Sequence, residues 1–465
     1  MPTFSFVRLT SALIAALCLI LTWRITETVW PLHADEAVQW SLAEQLNRGN
    51  ENAYSVHQDR FHGPTLGMVT CIRARLSGTS FEEMSPEFLR WSPQIFLGIM
   101  ALAVGLVRGV SWWIKGWLMV VIFLTGGLTP YARTYIQEML LAAGMVWGAA
   151  LVLRAKQSSH PLKMIGLAGA CFGWALACKV TALAYLVIFL FVGWWLGLAY
   201  FNRARIISFA LGLLISWAMF QSVIFTDLHG LSTWWQQLGR AFGVAAGISE
   251  DTLFAESYAP WFWTGAWLAL VAYGRWWARA RLGKWGQAEV DLPLLTAALI
   301  FLFHTALPYK TPWLLLTAIV LPLVLVVPVL LSGTKWERFV LFLGTWILIA
   351  CSSRVFVHTP TLAQVPKLEE KVAAVAKLSG PDPFYIAIEG GHYWPLPYYL
   401  RKFNVGYGTF PRAEVAPLRL LPVTDASQPK VEGYQTLRLH VRTGEDYWVL
   451  VANSCKGPLM ELLAP

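Results

Sequence analysis

Charged side chains are scarce in this sequence. Asp, Glu, Lys and Arg make up 14% of its 465 residues, while apolar types reach 56%. A water-soluble chain of this length could not bury so much apolar surface, so a soluble globular protein is excluded. Acids are scarcer than bases, 27 against 36, which leaves a net charge of +9. That excess does not signal nucleic acid, because the basic residues are spread through short loops and form no single patch. Cysteine is rare too, and none of the six has metal-ligand spacing. Cys18, Cys171, Cys178 and Cys351 fall in or beside apolar runs as core residues do. Cys71 and Cys455 are the two that could face an oxidising compartment, where a disulfide between them is conceivable. No Gly-x-x-x-x-Gly-Lys string is present, so no nucleotide-phosphate loop is expected. Internal repeats are missing, which counts against a transporter built from symmetric halves.

The apolar residues gather into runs of about 15–22, the helix length that a hydrocarbon core demands. They lie near 10–29, 92–107, 116–130, 139–153, 164–178, 181–201, 206–225, 261–274, 292–307, 313–332 and 338–352. The pattern predicts a polytopic α-helical membrane protein with about eleven spans. No small-residue cleavage site follows the first run, which therefore reads as an anchor. Many Trp sit at run ends, among them Trp112, Trp113, Trp261 and Trp263, where indoles favour the membrane interface. Loops rich in Lys and Arg, such as Arg154 to Lys163 and Arg275 to Lys284, alternate with loops holding single cations. The alternation predicts a cytoplasmic N-terminus in the inner (plasma) membrane and leaves 30–90, 226–260 and the tail outside. Two domains follow: a transmembrane domain over 1–355, with outer loops at 30–90 and 226–260, and a small extracytoplasmic α/β domain over 356–465. In the tail, Val365 to Leu378 has helical periodicity, and Phe384 to Ile388 and Tyr447 to Ala452 read as strands.

Five polar clusters fall on the expected outer face. His33-Ala34-Asp35-Glu36 follows the first span. Adjacent carboxylates repel one another; one suits a general base and the other a residue held by a cation or metal, while plain helix capping by Asp35 is the simpler role. His62-Gly63-Pro64 makes a turn before a helix. Tyr131-Ala132-Arg133 to Gln137-Glu138 separates two spans with almost no loop. Arg133 and Glu138 are costly there unless functional or paired, and an Arg–Glu brace is the simpler reading. Lys179 and Lys310 stand at breaks between spans, Lys310 between Pro308 and Pro312, where a lysine can snorkel to the interface or bind an anion. Two carboxylates and three cations at one face suit a lipid-borne phosphate.

Here the residues resemble a family. His33-x-Asp35-Glu36-Ala37, His62-Gly63-Pro64, Tyr131-x-Arg133 with Glu138, Tyr309-Lys310-Thr311-Pro312-Trp313 and Trp394-Pro395-Leu396-Pro397-Tyr398-Tyr399-Leu400-Arg401 occur in an order similar to that of the GT-C-fold polytopic glycosyltransferases. This is the family of protein O-mannosyltransferases and lipid A aminoarabinose transferases, and the two longest strings resemble its branch of flippase-activity-associated membrane proteins. The resemblance implies inverting transfer of a sugar from a polyprenyl-phosphate-linked donor to a lipid, glycan or protein hydroxyl. Asp35 is then the general base, and Glu36 the supporting catalytic carboxylate. His33, His62, Tyr131, Arg133, Glu138, Lys179, Tyr309 and Lys310 would bind substrate. No nucleotide cofactor is implied, no metal ligands are assigned, and a divalent cation beside Asp35 and Glu36 is left open. Where the lipid A transferases carry a Lys-Pro-Pro-type string, this chain reads His62-Gly63-Pro64, so their acceptor does not carry over. A lipid-linked sugar flippase, or its accessory subunit, is the alternative that the branch suggests.

Overall fold

The computed structural model describes residues 32–49, 54, 62–124, 132–197, 202–245, 273–282, 284–307, 312–331, 364–378, 384–390, 393–408, 412–424, 427–442 and 445–455. In chain order the longer helices are α1 (Ala34–Asn47), α2 (Thr65–Ser77), α3 (Pro86–Leu102), α4 (Trp112–Leu124), α5 (Glu138–Ala155), α6 (Pro161–Cys178), α7 (Ala182–Trp195), α8 (Arg203–Gln221), α9 (His229–Ala245), α10 (Lys284–Ala306), α11 (Leu316–Leu325) and α12 (Gln364–Leu378). The chain divides into two compact units. One takes 1–27, 45–73 and 90–357; the other takes 28–44, 74–89 and 358–465.

The first unit is a helical bundle. Among its described residues, six helical stretches, 86–106, 138–155, 161–178, 203–221, 287–306 and 313–330, are long and apolar enough to cross a membrane. Each overlaps an apolar run of the sequence. The run at 181–201 yields the shorter α7, and the run at 116–130 begins within α4. The runs 10–29 and 338–352, and nearly all of 261–274, lie outside the described residues.

Helix α6 is the axis of this bundle, packed on α5 and α8. It approaches α8 closely because the contact is lined by glycine. A Cβ at Gly169 or Gly173 would run into the carbonyls of Phe209 or Leu213, and one at Gly212 into that of Gly166. Small residues at such spacing let helix backbones meet, and van der Waals packing replaces the hydrophobic drive that lipid does not supply. The outer face of α8 exposes Ile206, Ile207, Leu211, Leu214 and Ile215, as suits a hydrocarbon-facing helix. Cys71 and Cys178 are buried, and Cys71, Cys171, Cys178 and Cys455 are all free thiols.

The second unit is α/β. Its five-stranded sheet runs β2-β1-β3-β5-β4, with β1 (Tyr385–Ile388), β2 (Asn404–Tyr407), β3 (Leu418–Pro422), β4 (Tyr434–Arg442) and β5 (Glu445–Ala452). Strand β1 pairs parallel with β2 and β3, while β5 pairs antiparallel with β3 and β4. Helix α12 buries Val365, Leu368 and Val372, the periodic face visible in the sequence. On β4, Asp446 of β5 accepts from Arg438 (2.9 Å) and His440 (2.6 Å). Burial alone would raise its carboxyl, but these bonds win and hold it below the usual aspartate range.

This unit also contains two pieces of the 30–90 loop that the sequence assigned to the membrane domain. The reason is apolar: Trp40, Phe81, Met84 and Leu89 are buried. The Trp-Pro-Leu-Pro-Tyr-Tyr-Leu-Arg string grips these pieces. Tyr398 stacks edge-on against Trp40 at 5.3 Å and donates to the Met84 carbonyl at 2.8 Å. Arg401 lies over the Tyr398 ring at 4.2 Å and donates to the Glu82 carbonyl. Tyr399 accepts from the Leu32 amide at 2.6 Å. Tyr398 is therefore core, whereas Tyr393 and Trp394 are half-buried.

Candidate functional site

In the first unit, three of the sequence clusters converge where helices end. The chain breaks at Lys179 because its backbone is extended (φ −159°, ψ 139°), and it pairs there as an antiparallel bridge with His62. The Gly63 amide donates to the Cys178 carbonyl at 2.9 Å. Gln137 reaches the same turn from the start of α5: its amide donates to the Gly63 carbonyl, and its own oxygen accepts from Thr65 at 3.0 Å. Gln237 of α9 donates to the His62 carbonyl at 3.0 Å. The backbone of the His-Gly-Pro turn is thus tied to the N-cap of α5, the end of α6 and the side chain of Gln237 on α9. Gly63 is required for close approach, since a Cβ there would strike the Ala177 carbonyl and press on Gln221 Oε1. Gly63→Ala should lower stability by about 1–3 kcal/mol, the usual cost of overpacking. Thermal unfolding in detergent reads this; an unchanged midpoint would show that the turn can shift.

At the same place Lys179 Nζ donates to Glu138 Oε1 at 2.6 Å, with both residues almost fully buried. The brace expected between Arg133 and Glu138 is not formed; Glu138 pairs with Lys179 instead. Glu138 opens α5 and Lys179 ends the antiparallel neighbour α6, so their side chains meet. Arg133 lies on the preceding turn, separated from Glu138 by the buried Tyr135 and Ile136. Tyr135 shares a 2.6 Å hydrogen bond with Thr70, which also contacts Ser92, where Arg73 donates at 2.8 Å. Burial pushes the Tyr135 hydroxyl up and the Arg73 guanidinium down. Burial, and then the charge of Arg90, bring the Arg133 guanidinium down to about 10. Its Nε is buried and finds no partner among the described residues.

Two residues that the sequence did not suggest stand nearby. His304, 1% exposed near the end of α10, shares a 2.5 Å hydrogen bond with Tyr185 of α7, and Tyr185 donates to the Leu314 carbonyl at 3.2 Å. Glu138 Oε2 and His304 Nδ1 are buried without a partner among the described residues. The only sequence signal was a His in one apolar run and a Tyr in another. Tyr131, Tyr309 and Lys310 lie outside the described residues.

In the second unit, His33 and Glu36 form a reciprocal cap on α1. Glu36 accepts from the His33 amide at 2.8 Å, and His33 Nδ1 accepts from the Asp35 amide at 3.2 Å. The cap is therefore made by His33 and not by Asp35. Glu36 is buried by this role, at 1% exposure, while Asp35 beside it is exposed. The pair splits because neighbours on a helix point about 100° apart. Among the described residues, no three His, Cys, Asp or Glu gather as metal ligands.

Solved structures of low sequence identity share this architecture. ArnT from Cupriavidus metallidurans bound to undecaprenyl phosphate matches with a TM-score of 0.60 at 13% identity, over 96% of this chain and 99% of the other. The apo state of the same protein matches at 0.58, again at 13% identity, over 96% and 98%. The fold is GT-C. The oligosaccharyltransferase of Archaeoglobus fulgidus, in complex with zinc and sulfate, matches at 0.50 and 13% identity, over 86% of this chain and 62% of its own. No protein-family profile and no curated protein sequence matches.

Proposed function

We propose that this chain is a membrane glycosyltransferase that moves a sugar from a polyprenyl-phosphate-linked donor to a hydroxyl acceptor with inversion. The observation that carries the reading is Arg133. A guanidinium that is partly desolvated, close to the charge of Arg90 and left with an unpartnered buried Nε is poised for an anion. The GT-C fold, seen with undecaprenyl phosphate in ArnT, makes a lipid phosphate the natural candidate. In this reading Arg133, together with Lys310 and Tyr309, binds the donor phosphate. The Lys179–Glu138 pair and the His62 turn shape the pocket around it, beside Tyr131. Asp35 removes the proton of the acceptor hydroxyl, whose oxygen attacks the anomeric carbon. The polyprenyl phosphate leaves with the bonding electrons, its charge stabilised by the cations. Asp35 is available for this because Glu36 and His33 already cap the helix. In this reading the transfer takes place on the outer face of the plasma membrane, which the loop charges favour, and Glu36 supports the base by ordering the turn that carries it.

Purified protein in vesicles, given a synthetic polyprenyl-phosphate sugar and candidate acceptors, should transfer the label. Arg133→Ala should weaken donor binding by roughly tenfold or more, the value of one charge-assisted hydrogen bond, while unfolding at a wild-type temperature. Unchanged donor affinity would remove Arg133 from the site. Movement of the lipid-linked sugar between leaflets without transfer would favour a flippase.

A further inference from the structure

The first unit carries a second charged pocket that the proposed reaction does not use. It lies at the far end of α5 from Glu138. Arg154, sixteen residues on, is about 24 Å away at a rise of 1.5 Å per residue. The pocket is a shallow, half-open groove that encloses about 30 Å³. Leu106, Val107, Leu153, Leu325 and Val329 give it an apolar wall, and Arg108, Arg154 and Glu289 give it a charged rim. Gln157 ties the rim together: its carbonyl accepts from Arg108 at 3.2 Å, and its amide donates to Glu289 Oε1 at 3.3 Å. Lys156 also lies within electrostatic reach of Glu289. Three cations therefore surround one carboxylate, which leaves a local charge of about +2.

The surroundings indicate the depth of this rim. Trp112 and Trp113 on α4 are exposed, Trp113 at 90%, and Lys115 sits 4.6 Å over the Trp112 ring. Trp194 and Trp195, at the end of α7, are exposed as well. Indoles and snorkelling lysines collect where headgroups meet hydrocarbon. An apolar wall next to paired guanidiniums at that depth matches an amphiphile with an anionic head. Free phosphate would leave the wall unused. A zwitterionic headgroup would bring its own ammonium up to Arg108 and Arg154.

We propose that this pocket binds an anionic glycerophospholipid, with its phosphate held by Arg108 and Arg154 and an acyl chain along Leu153, Leu325 and Val329. Glu289 holds the cations in place when no lipid is bound and competes with the phosphate for them. The site is separate from the donor site, and none of its residues belongs to the transfer machinery proposed above.

The test is native mass spectrometry of the full-length protein released from nanodiscs of mixed phosphatidylglycerol and phosphatidylcholine. Wild type should retain phosphatidylglycerol preferentially. The double variant Arg108→Gln/Arg154→Gln should retain about tenfold less, whereas Arg203→Gln/Arg205→Gln, on α8 outside the pocket, should retain it normally. Glu289→Gln should retain more, which gives a readout in the opposite direction if the arginine variant folds poorly. Equal losses in both arginine pairs would reduce the effect to general surface charge and overturn the site. A loss in Glu289→Gln would overturn the competition, and displacement of phosphatidylglycerol by undecaprenyl phosphate would overturn the choice of lipid. Loss of sugar transfer in vesicles with lipid retention intact would count against the glycosyltransferase reading alone.

Discussion

Asp35→Asn should leave folding and donor binding close to wild type and lower turnover by about a hundredfold or more, the contribution expected of a general base. The separation of stability from activity follows from the geometry of α1. The helix is closed by His33 and Glu36, so its first turn does not need the Asp35 carboxylate. Asp35 is exposed, and its near contact is the His33 ring at 3.7 Å. Removing one negative charge from the first turn of a helix costs about 0.3–1 kcal/mol at most. Asn keeps the shape and loses the basicity. Steady-state transfer and thermal unfolding, measured on the same preparation, give the two numbers. Glu36→Ala should show the opposite pattern: it removes a cap worth about 1 kcal/mol and lowers the unfolding temperature, with a smaller effect on turnover. An Asn variant that transfers sugar at the wild-type rate would end the role of Asp35. Glu36 could not replace it without giving up the cap.

What could be read from the sequence divides along physical lines. Run length and hydropathy are local properties, so the apolar runs mark the six long helices and the breaks at Gln137 and Lys179. Periodicity is local too, and it located α12, β1 and β5. Which residue faces which depends on the rotation of each helix about its own axis, and a run of Leu, Ala and Val does not specify that. Hence Glu138 was matched with Arg133, five residues away, when its partner is Lys179, 41 residues away. His304 and Tyr185 were invisible for the same reason. The His-Gly-Pro turn was legible as a turn, but its bridge to Lys179 depends on α6 reaching it from another part of the chain. In the second unit β4 carried a usable signal that went unread: Leu437, Leu439 and Val441 alternate with Arg438, His440 and Arg442. An aromatic string next to a membrane can lie on headgroups. Tyr398 is instead buried against Trp40, since two edge-on rings gain more from each other than from water.

Breaking the Lys179–Glu138 pair should be the most destabilising single change in the first unit. Glu138→Ala leaves an ammonium almost fully buried with its carboxylate gone, and Lys179→Ala leaves the carboxylate. Either should cost about 3–5 kcal/mol, because the remaining ion has lost both water and its counter-ion. Replacing both by apolar residues of similar volume, Glu138→Leu with Lys179→Met, should recover most of that loss, since no charge is then left in the core. The double variant also separates two roles that the single variants confuse. If the pair only braces α5 against α6, the double variant should be both stable and active. If the pair shapes the donor pocket, the double variant should unfold at a near-normal temperature and yet bind the polyprenyl phosphate poorly, because the Lys179 ammonium is no longer there to meet it. Detergent-phase thermal unfolding and donor binding on wild type, the two single variants and the double variant provide both readings. Single variants as stable as wild type would mean that water reaches the pair.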